Sequence, residues 1–251
     1  MYSHVFVSLT VGTALGFILS IFGRYKLPGF FNNTGGCHLS FKERSRPKQL
    51  ASEVDAKKLL FIGVMTAKKY LDTRAKAVYN TWGKEAPGSL AFFMSNDEKW
   101  ESDLPIQTLK GVQDNEYPPQ KKVMTMLRYM YDNYINDYEW FMRADDDVYV
   151  RIERLQIFLR SLDSSRDTVI GQGGVGKSDE LNKLGLVKGE CYCIGGPGVI
   201  MSRNVLKKIA PNIEECLKDT ASTHEDVELG RCIRKFAGVS CLWAEEVSLT
   251  R

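Results

Sequence analysis

The chain has 251 residues, a formal net charge of +3 and 43% hydrophobic side chains, enough for one sizeable core. Its 34 basic and 31 acidic residues are intermixed, which excludes the concentrated basic footprint of a nucleic-acid binder. The one basic stretch, Lys42 to Lys48, is too short to alter that.

Val5 to Phe22 is an uncharged run of apolar and small residues, just long enough to cross a bilayer. Ile21 and Gly23 make a poor cleavage site and no basic segment precedes the run, so an uncleaved anchor is favoured over a removed signal peptide. Arg24 and Lys26 follow the run, and by the positive-inside rule they speak against a short cytoplasmic tail. Residues 24–57 carry Pro28, Gly29, Gly35, Gly36 and Pro47 among polar side chains and read as a flexible stem. Asn32-Asn33-Thr34 is a glycosylation acceptor if that side is luminal.

From Lys58 the pattern alternates between strand and helix, which predicts an α/β domain over residues 58–251. Leu59 to Met65 is a continuous apolar run, as a buried parallel strand requires. Leu71, Ala75, Val78 and Trp82 form the stripe of a helix ended by Gly83. Strands are predicted over Leu90 to Met94 and Ile106 to Leu109, followed by a helix after Pro118 and Pro119 with Val123, Met126, Leu127, Met130 and Tyr134 inward. Trp140 to Ala144 is the next strand. Ile152 to Leu162 reads as a helix with Ile152, Leu155, Phe158, Leu159 and Leu162 inward; Val169 and Ile170 open a further strand, and Gly171 to Gly176 loosens the chain.

Asp145, Asp146 and Asp147 sit where the Trp140 strand stops. Three crowded carboxylates repel one another, and a divalent cation or an exposed acidic turn would relieve the repulsion. Asp145 and Asp147 form a D-x-D pair of hard oxygen ligands suited to Mg²⁺ or Mn²⁺ held against substrate phosphates. Their place at a strand's carboxyl end, where open α/β sheets bind ligands, favours the metal reading. Gly195 and Gly196, with Pro197 and Gly198, lie between two apolar stretches; the turn suits close approach of a substrate to the backbone, or simply a tight connection before a strand. Thr223 is positioned to cap the last helix, whose Glu225, Asp226 and Glu228 suit the helix dipole. The same acids offer a carboxylate base for group transfer.

Cys37, Cys191, Cys193, Cys216, Cys232 and Cys241 lack zinc-ligand spacing, so disulfides in an oxidising lumen account for them better. Cys216 with Cys232 is the first expected pair and Cys193 with Cys241 the second, although sequence cannot fix the connectivity.

Thr73-Arg74 to Thr81-Trp82-Gly83, WF-x-x-ADDDVY, GGPGVIMS and EDVELGRC together resemble the fringe-like β1,3-glycosyltransferases. More closely, FIGVMTAKKYLDTRAKAVYNTW, YPPQKK, WFMRADDDVYV and THEDVELGRCIRKFAGVSC resemble the N-terminal catalytic half of animal chondroitin synthases, from about Leu59 to Trp243. The resemblance implies a GT-A (Rossmann-like) glycosyltransferase domain behind an N-terminal transmembrane anchor, in a single-pass type II Golgi membrane protein. It implies an inverting enzyme that uses a UDP-sugar and Mn²⁺. Asp145, Asp146 and Asp147 would then hold the metal and nucleotide sugar, Asp226 would act as base with Glu225 as the second choice, and Arg74 and Lys122 would lie near the donor nucleotide. The reaction implied is β1,3 transfer from UDP-glucuronic acid to a chondroitin chain ending in N-acetylgalactosamine. A hetero-oligomer with another chondroitin synthase or a polymerising factor is also implied. With the cysteines, the resemblance outweighs Arg24 and Lys26 and puts residues 1–23 as cytoplasmic tip and anchor, the rest being luminal.

Family members continue past the position of Arg251 to a further His that contributes to the metal site, and then to a second transferase half. The expectation is therefore a truncated product or partial gene model, C-terminally incomplete. That leaves an alternative: a non-catalytic partner or scaffold of a full-length synthase.

Overall fold

The structure, a computed structural model, describes residues 57–96, 100–175, 184, 186 and 190–244. The expected anchor, glycosylation triplet and stem up to residue 56 lie outside these residues. Among the described residues no helix is long and apolar enough to cross a membrane.

The chain runs through β1 (Lys58–Met65), a π-helical turn (Leu71–Ala75) continuing as α1 (Lys76–Thr81), β2 (Gly88–Ser95), β3 (Ile106–Leu109), α2 (Gln120–Tyr134), β4 (Tyr138–Asp145) and α3 (Ile152–Ser161). It continues with β5 (Val169–Gly171), β6 (Gly173–Gly174), β7 (Tyr192–Cys193), β8 (Val199–Ser202), α4 (Arg203–Ile209), α5 (Ile213–Lys218), α6 (Glu225–Ala237) and β9 (Cys241–Trp243). The main sheet has the order β3-β2-β1-β4-β8-β5-β9. β1, β2, β3 and β4 are mutually parallel, β8 is antiparallel to both β4 and β5, and β9 is parallel to β5. Only β8 runs against the rest, so the fold is mixed α/β with a largely parallel sheet.

The continuous apolar text of β1 is explained by helices on both faces. Leu60, Ile62 and Val64 join a cluster with Leu71, Val78, Trp82, Trp140 and Leu155, whereas Phe61 and Met65 join Met126, Met130, Phe141 and Leu206 on the other side. Leu60 and Ile62 are fully buried, and each contributes about 1.5–3 kcal/mol by leaving water. Phe158 is only partly buried against its cluster.

Several local expectations are corrected. Gly83 does not simply end the first helix but starts a 3-10 turn, Gly83–Glu85. Gly173 and Gly174 do not loosen the chain, because they pair with Cys193 and Tyr192 in a two-stranded ribbon. Thr223 does not cap α6; His224 occupies the cap position without a side-chain cap bond. The preceding loop is held instead by Glu228, whose Oε1 accepts from the backbone N–H groups of Ala221 and Ser222 at 2.9 and 2.6 Å. Both expected disulfides are present, Cys216–Cys232 joining α5 to α6 and Cys193–Cys241 joining β7 to β9.

Candidate functional site

The sheet changes direction of growth between β1 and β4, the place where open α/β sheets bind ligands beyond their carboxyl ends. Met65 at the end of β1 is in register with Asp145 at the end of β4. The three acids diverge from there. Asp146 turns inward and is buried, its Oδ2 accepting from Thr66 Oγ1 at 2.8 Å and its Oδ1 facing Arg74 Nη1 at 3.3 Å. Asp147 stays 60% exposed, with Arg74 Nη1 3.5 Å away. Arg74 therefore spans two of the three acids, and its guanidinium also lies over the Tyr70 ring, 4.3 Å from the centroid.

Asp145 points the other way, towards Arg143. This arginine is 2% exposed between the buried Met142 and Ala144, and its Nη2 lies 3.1 Å from Asp145 Oδ1. It also donates to Glu225 Oε1 at the start of α6 and, over 2.5 Å, to the carbonyl of Gly195. Burial raises the Asp145 carboxyl above the usual carboxylate range, against the pull of Arg143 and with the help of Asp147 and Asp146. Burial likewise lifts Glu225 to about 7; Arg143 opposes the shift, and Asp226 and Asp145 add to it. Two carboxylates sharing one guanidinium cannot both be fully compensated.

Asp226, one residue on, is held by two backbone N–H groups. Its Oδ2 accepts from the Gly195 N–H at 3.0 Å and its Oδ1 from the Val227 N–H at 2.9 Å. Gly195 is buried in this network: a Cβ there would stand 2.5 Å from Glu225 Oε1. Gly196 is exposed, with open space where a side chain would go. Gly198, with φ at +101°, takes the backbone into β8 in a conformation that side chains disfavour.

On the opposite flank, Lys122 is buried and donates to the carbonyl of Thr66 and, at 2.7 Å, to Asp114 Oδ1. Asp114 also accepts from the backbone N–H groups of Ser95 at 2.7 Å and Lys68 at 3.1 Å. It thereby ties the ends of β1 and β2 to α2. Next to it opens a cavity of about 840 Å³ lined by residues including Lys68, Lys69, Asp72, Ser95 and Asp114, within the range of small-molecule sites.

The structure thus places Asp145, Asp146 and Asp147 at the carboxyl end of β4, Arg74 against the last two, and Arg143 joins Asp145 to Glu225, Gly195 and, through Gly195, Asp226. Lys122 sits behind Thr66. Three contributors were missed in the sequence: Thr66, Asp114 and Arg143. Arg143 carried a usable signal, a charged residue inside an apolar strand, which stays buried only if paired.

Among the described residues no three His, Cys, Asp or Glu side chains converge closely enough to hold an ion alone. The donor set nonetheless fits a hard cation: Asp145 and Asp147 offer carboxylate oxygens, and five acids (Asp145, Asp146, Asp147, Glu225, Asp226) face only two guanidiniums, Arg74 and Arg143. Mg²⁺-like ions are commonly bound by one or two carboxylates, the remaining positions being filled by water and substrate phosphate.

The Fringe-like family profile matches residues 55–247. Human chondroitin sulfate synthase 3 is 47% identical over 224 residues, covering 88% of this chain and 24% of that protein. Human chondroitin sulfate glucuronyltransferase is 27% identical over 202 residues, covering 80% of this chain and 25% of that protein. A glycoprotein-N-acetylgalactosamine 3-beta-galactosyltransferase 1 of Xenopus laevis is 27% identical over 243 residues, 90% of this chain and 62% of that protein. The chain spans about a quarter of the length of the chondroitin relatives it matches. Among solved structures, the galactosyltransferase LgtC with donor and acceptor sugar analogs aligns over 73% of each chain at 15% identity and a TM-score of 0.46, too loose a likeness to bear on any residue.

Proposed function

We propose, from the premise that the chain belongs to the Fringe-like family, that it is a glycosyltransferase of the chondroitin type with a GT-A fold. Its donor is UDP-glucuronic acid, and it transfers the sugar through a β1,3 bond to a chondroitin chain ending in N-acetylgalactosamine, with inversion. The observation that carries this reading is the 47% identity to a chondroitin sulfate synthase over most of the chain. The placement of the D-x-D acids at the carboxyl end of β4, where Arg143 links Asp145 to Gly195 and the head of α6, supports it.

Asp145 and Asp147 would hold a divalent cation such as Mn²⁺, which would supply neutralisation of charge on the leaving diphosphate. Arg74, tied to Asp146 and Asp147, faces the same phosphates. Asp114 and Lys122 keep the cavity mouth beside Lys68 and Ser95 in shape for the nucleoside. Asp226, its Oδ2 oriented by Gly195, takes the proton of the acceptor hydroxyl as that oxygen attacks the anomeric carbon from the face opposite the diphosphate. Glu225, bound to Arg143, is the second candidate. The sugar–phosphate bond breaks as the new glycosidic bond forms, and the electrons of the former leave with the diphosphate.

The test is transfer from UDP-glucuronic acid to such an oligosaccharide. Asp226→Asn is expected to keep UDP binding and to lose transfer by about 10²–10⁴-fold. Transfer that survives this change assigns the base elsewhere, and a wild-type chain without transfer supports a non-catalytic partner. Calorimetry is expected to show UDP binding only with Mn²⁺ or a similar cation; equal affinity in a chelator, or in Asp147→Ala, removes the metal role.

The protein works in the Golgi lumen as a single-pass type II membrane protein. The two disulfides support an oxidising compartment. Digestion of the catalytic domain by protease in intact microsomes would contradict this orientation.

A further inference from the structure

We propose that Arg143 is the positioning residue that sets the separation between Asp145 and Asp226, an inference that rests on the sugar-transfer reading of this edge. Its fork ties three segments at once: Asp145 Oδ1 at 3.1 Å, the Gly195 carbonyl at 2.5 Å, and Glu225 Oε1. The tie continues through one peptide residue, because the Gly195 N–H donates to Asp226 Oδ2 at 3.0 Å. A path of hydrogen bonds therefore runs from the metal-side carboxylate, through Arg143 and Gly195, to the carboxylate at the head of α6. Gly195 cannot be bulkier without breaking it, since a Cβ would stand 3.0 Å from Arg143 Nη1 and 2.5 Å from Glu225 Oε1.

The pair is poorly made as a stabilising device. Arg143 Nε and Glu225 Oε2 are both buried without a hydrogen-bond partner, and packed apolar residues commonly match or exceed the stability of a buried ion pair. What the arginine adds is direction: a rigid planar fork aims several hydrogen bonds along fixed lines, which a hydrophobic contact cannot do. Donor and acceptor groups that must meet within a fraction of an ångström need that constraint.

The experiment compares the full chain with Arg143→Lys, Arg143→Met, Glu225→Leu and Arg143→Met/Glu225→Leu, reading thermal midpoint, kcat, donor KM and amide hydrogen exchange at Gly195. Arg143→Met is expected to lower the midpoint and to lower kcat by about 100-fold, with donor KM within about threefold of wild type. The double variant removes the stranded Glu225 carboxyl and recovers the midpoint, while its kcat stays well below that of Glu225→Leu alone, and Arg143→Lys regains part of kcat. Gly195 is expected to exchange about tenfold faster in both Met variants. A double variant whose kcat returns with its midpoint reduces Arg143 to a structural role and overturns the proposal, as does unchanged Gly195 protection in Arg143→Met. A wild-type chain that transfers nothing counts against the functional reading alone, and the exchange measurement then decides this one.

Discussion

Glu225→Gln is expected to flatten part of the chain's stability against pH. Burial lifts the Glu225 carboxyl from 4.5 to about 7 although Arg143 pulls the other way, so the folded state holds a proton that the unfolded state has released. Between those values the folded chain binds more protons, and stability must fall as pH rises. The contribution is fully present below about pH 4.5 and lost above about pH 7. At about 1.4 kcal/mol per unit, the shift amounts to on the order of 3 kcal/mol. Asp145 is raised as well and acts in the same direction, so the wild-type curve alone overstates the effect and the difference between the two proteins isolates it. The assay is urea unfolding of the full chain from pH 4.5 to 8.5 in a chelator, with disulfides intact. The stability of Glu225→Gln relative to wild type is expected to grow by on the order of 3 kcal/mol across this range. A difference constant to within about 0.5 kcal/mol would refute a protonated Glu225 in the fold.

Trp82→Phe removes the indole N–H that donates to the Val148 carbonyl at 2.9 Å; the stranded acceptor is expected to cost about 1–3 kcal/mol in denaturant unfolding. Gly88→Ala would set a Cβ 2.0 Å from the Leu60 carbonyl oxygen, and the forced separation of β1 from β2 is expected to cost about 1–3 kcal/mol by the same measurement. Replacing Cys216 and Cys232 with Ala opens a bridge between positions 16 apart in sequence, with an expected loss of about 3 kcal/mol. Asp114→Asn leaves Lys122 without its 2.7 Å carboxylate partner and is expected to raise donor KM several-fold more than it lowers kcat, as read by steady-state kinetics.

A strand is legible where burial on both faces makes the sequence uniformly apolar, and Leu59 to Met65 differs from β1 by one residue; Ile106 to Leu109 matches the edge strand β3 although only Leu109 in it is buried. The segment holding α4 and α5 shows no helical period in its sequence, because each helix is under two turns long and Pro211 lies between them. The candidate site was half legible. The acids announced themselves by type and strand-end position, as did the helix carboxylates. Their partners did not: Thr66 meets Asp146 across 80 residues, and Arg143 meets Glu225 across 82. Local pattern carries no record of such pairings. Gly195 was noticed for the freedom of its backbone, whereas the structure makes it an internal link whose missing side chain leaves room for an ion pair.

The reversal of β8 separates the two halves of the chain by task. Because β8 runs against β4, with Val199 beside Arg143, the turn that precedes it arrives at the carboxyl ends of the parallel strands. Everything proposed to grip the nucleotide comes from residues 66–147, and everything proposed to meet the incoming hydroxyl comes from residues 195–226. The two sets touch through one arginine. A lineage can therefore redraw the later stretch to accept a different sugar terminus while leaving the grip on the diphosphate intact, provided that the guanidinium still finds a carbonyl and a carboxylate where Gly195 and Glu225 now stand.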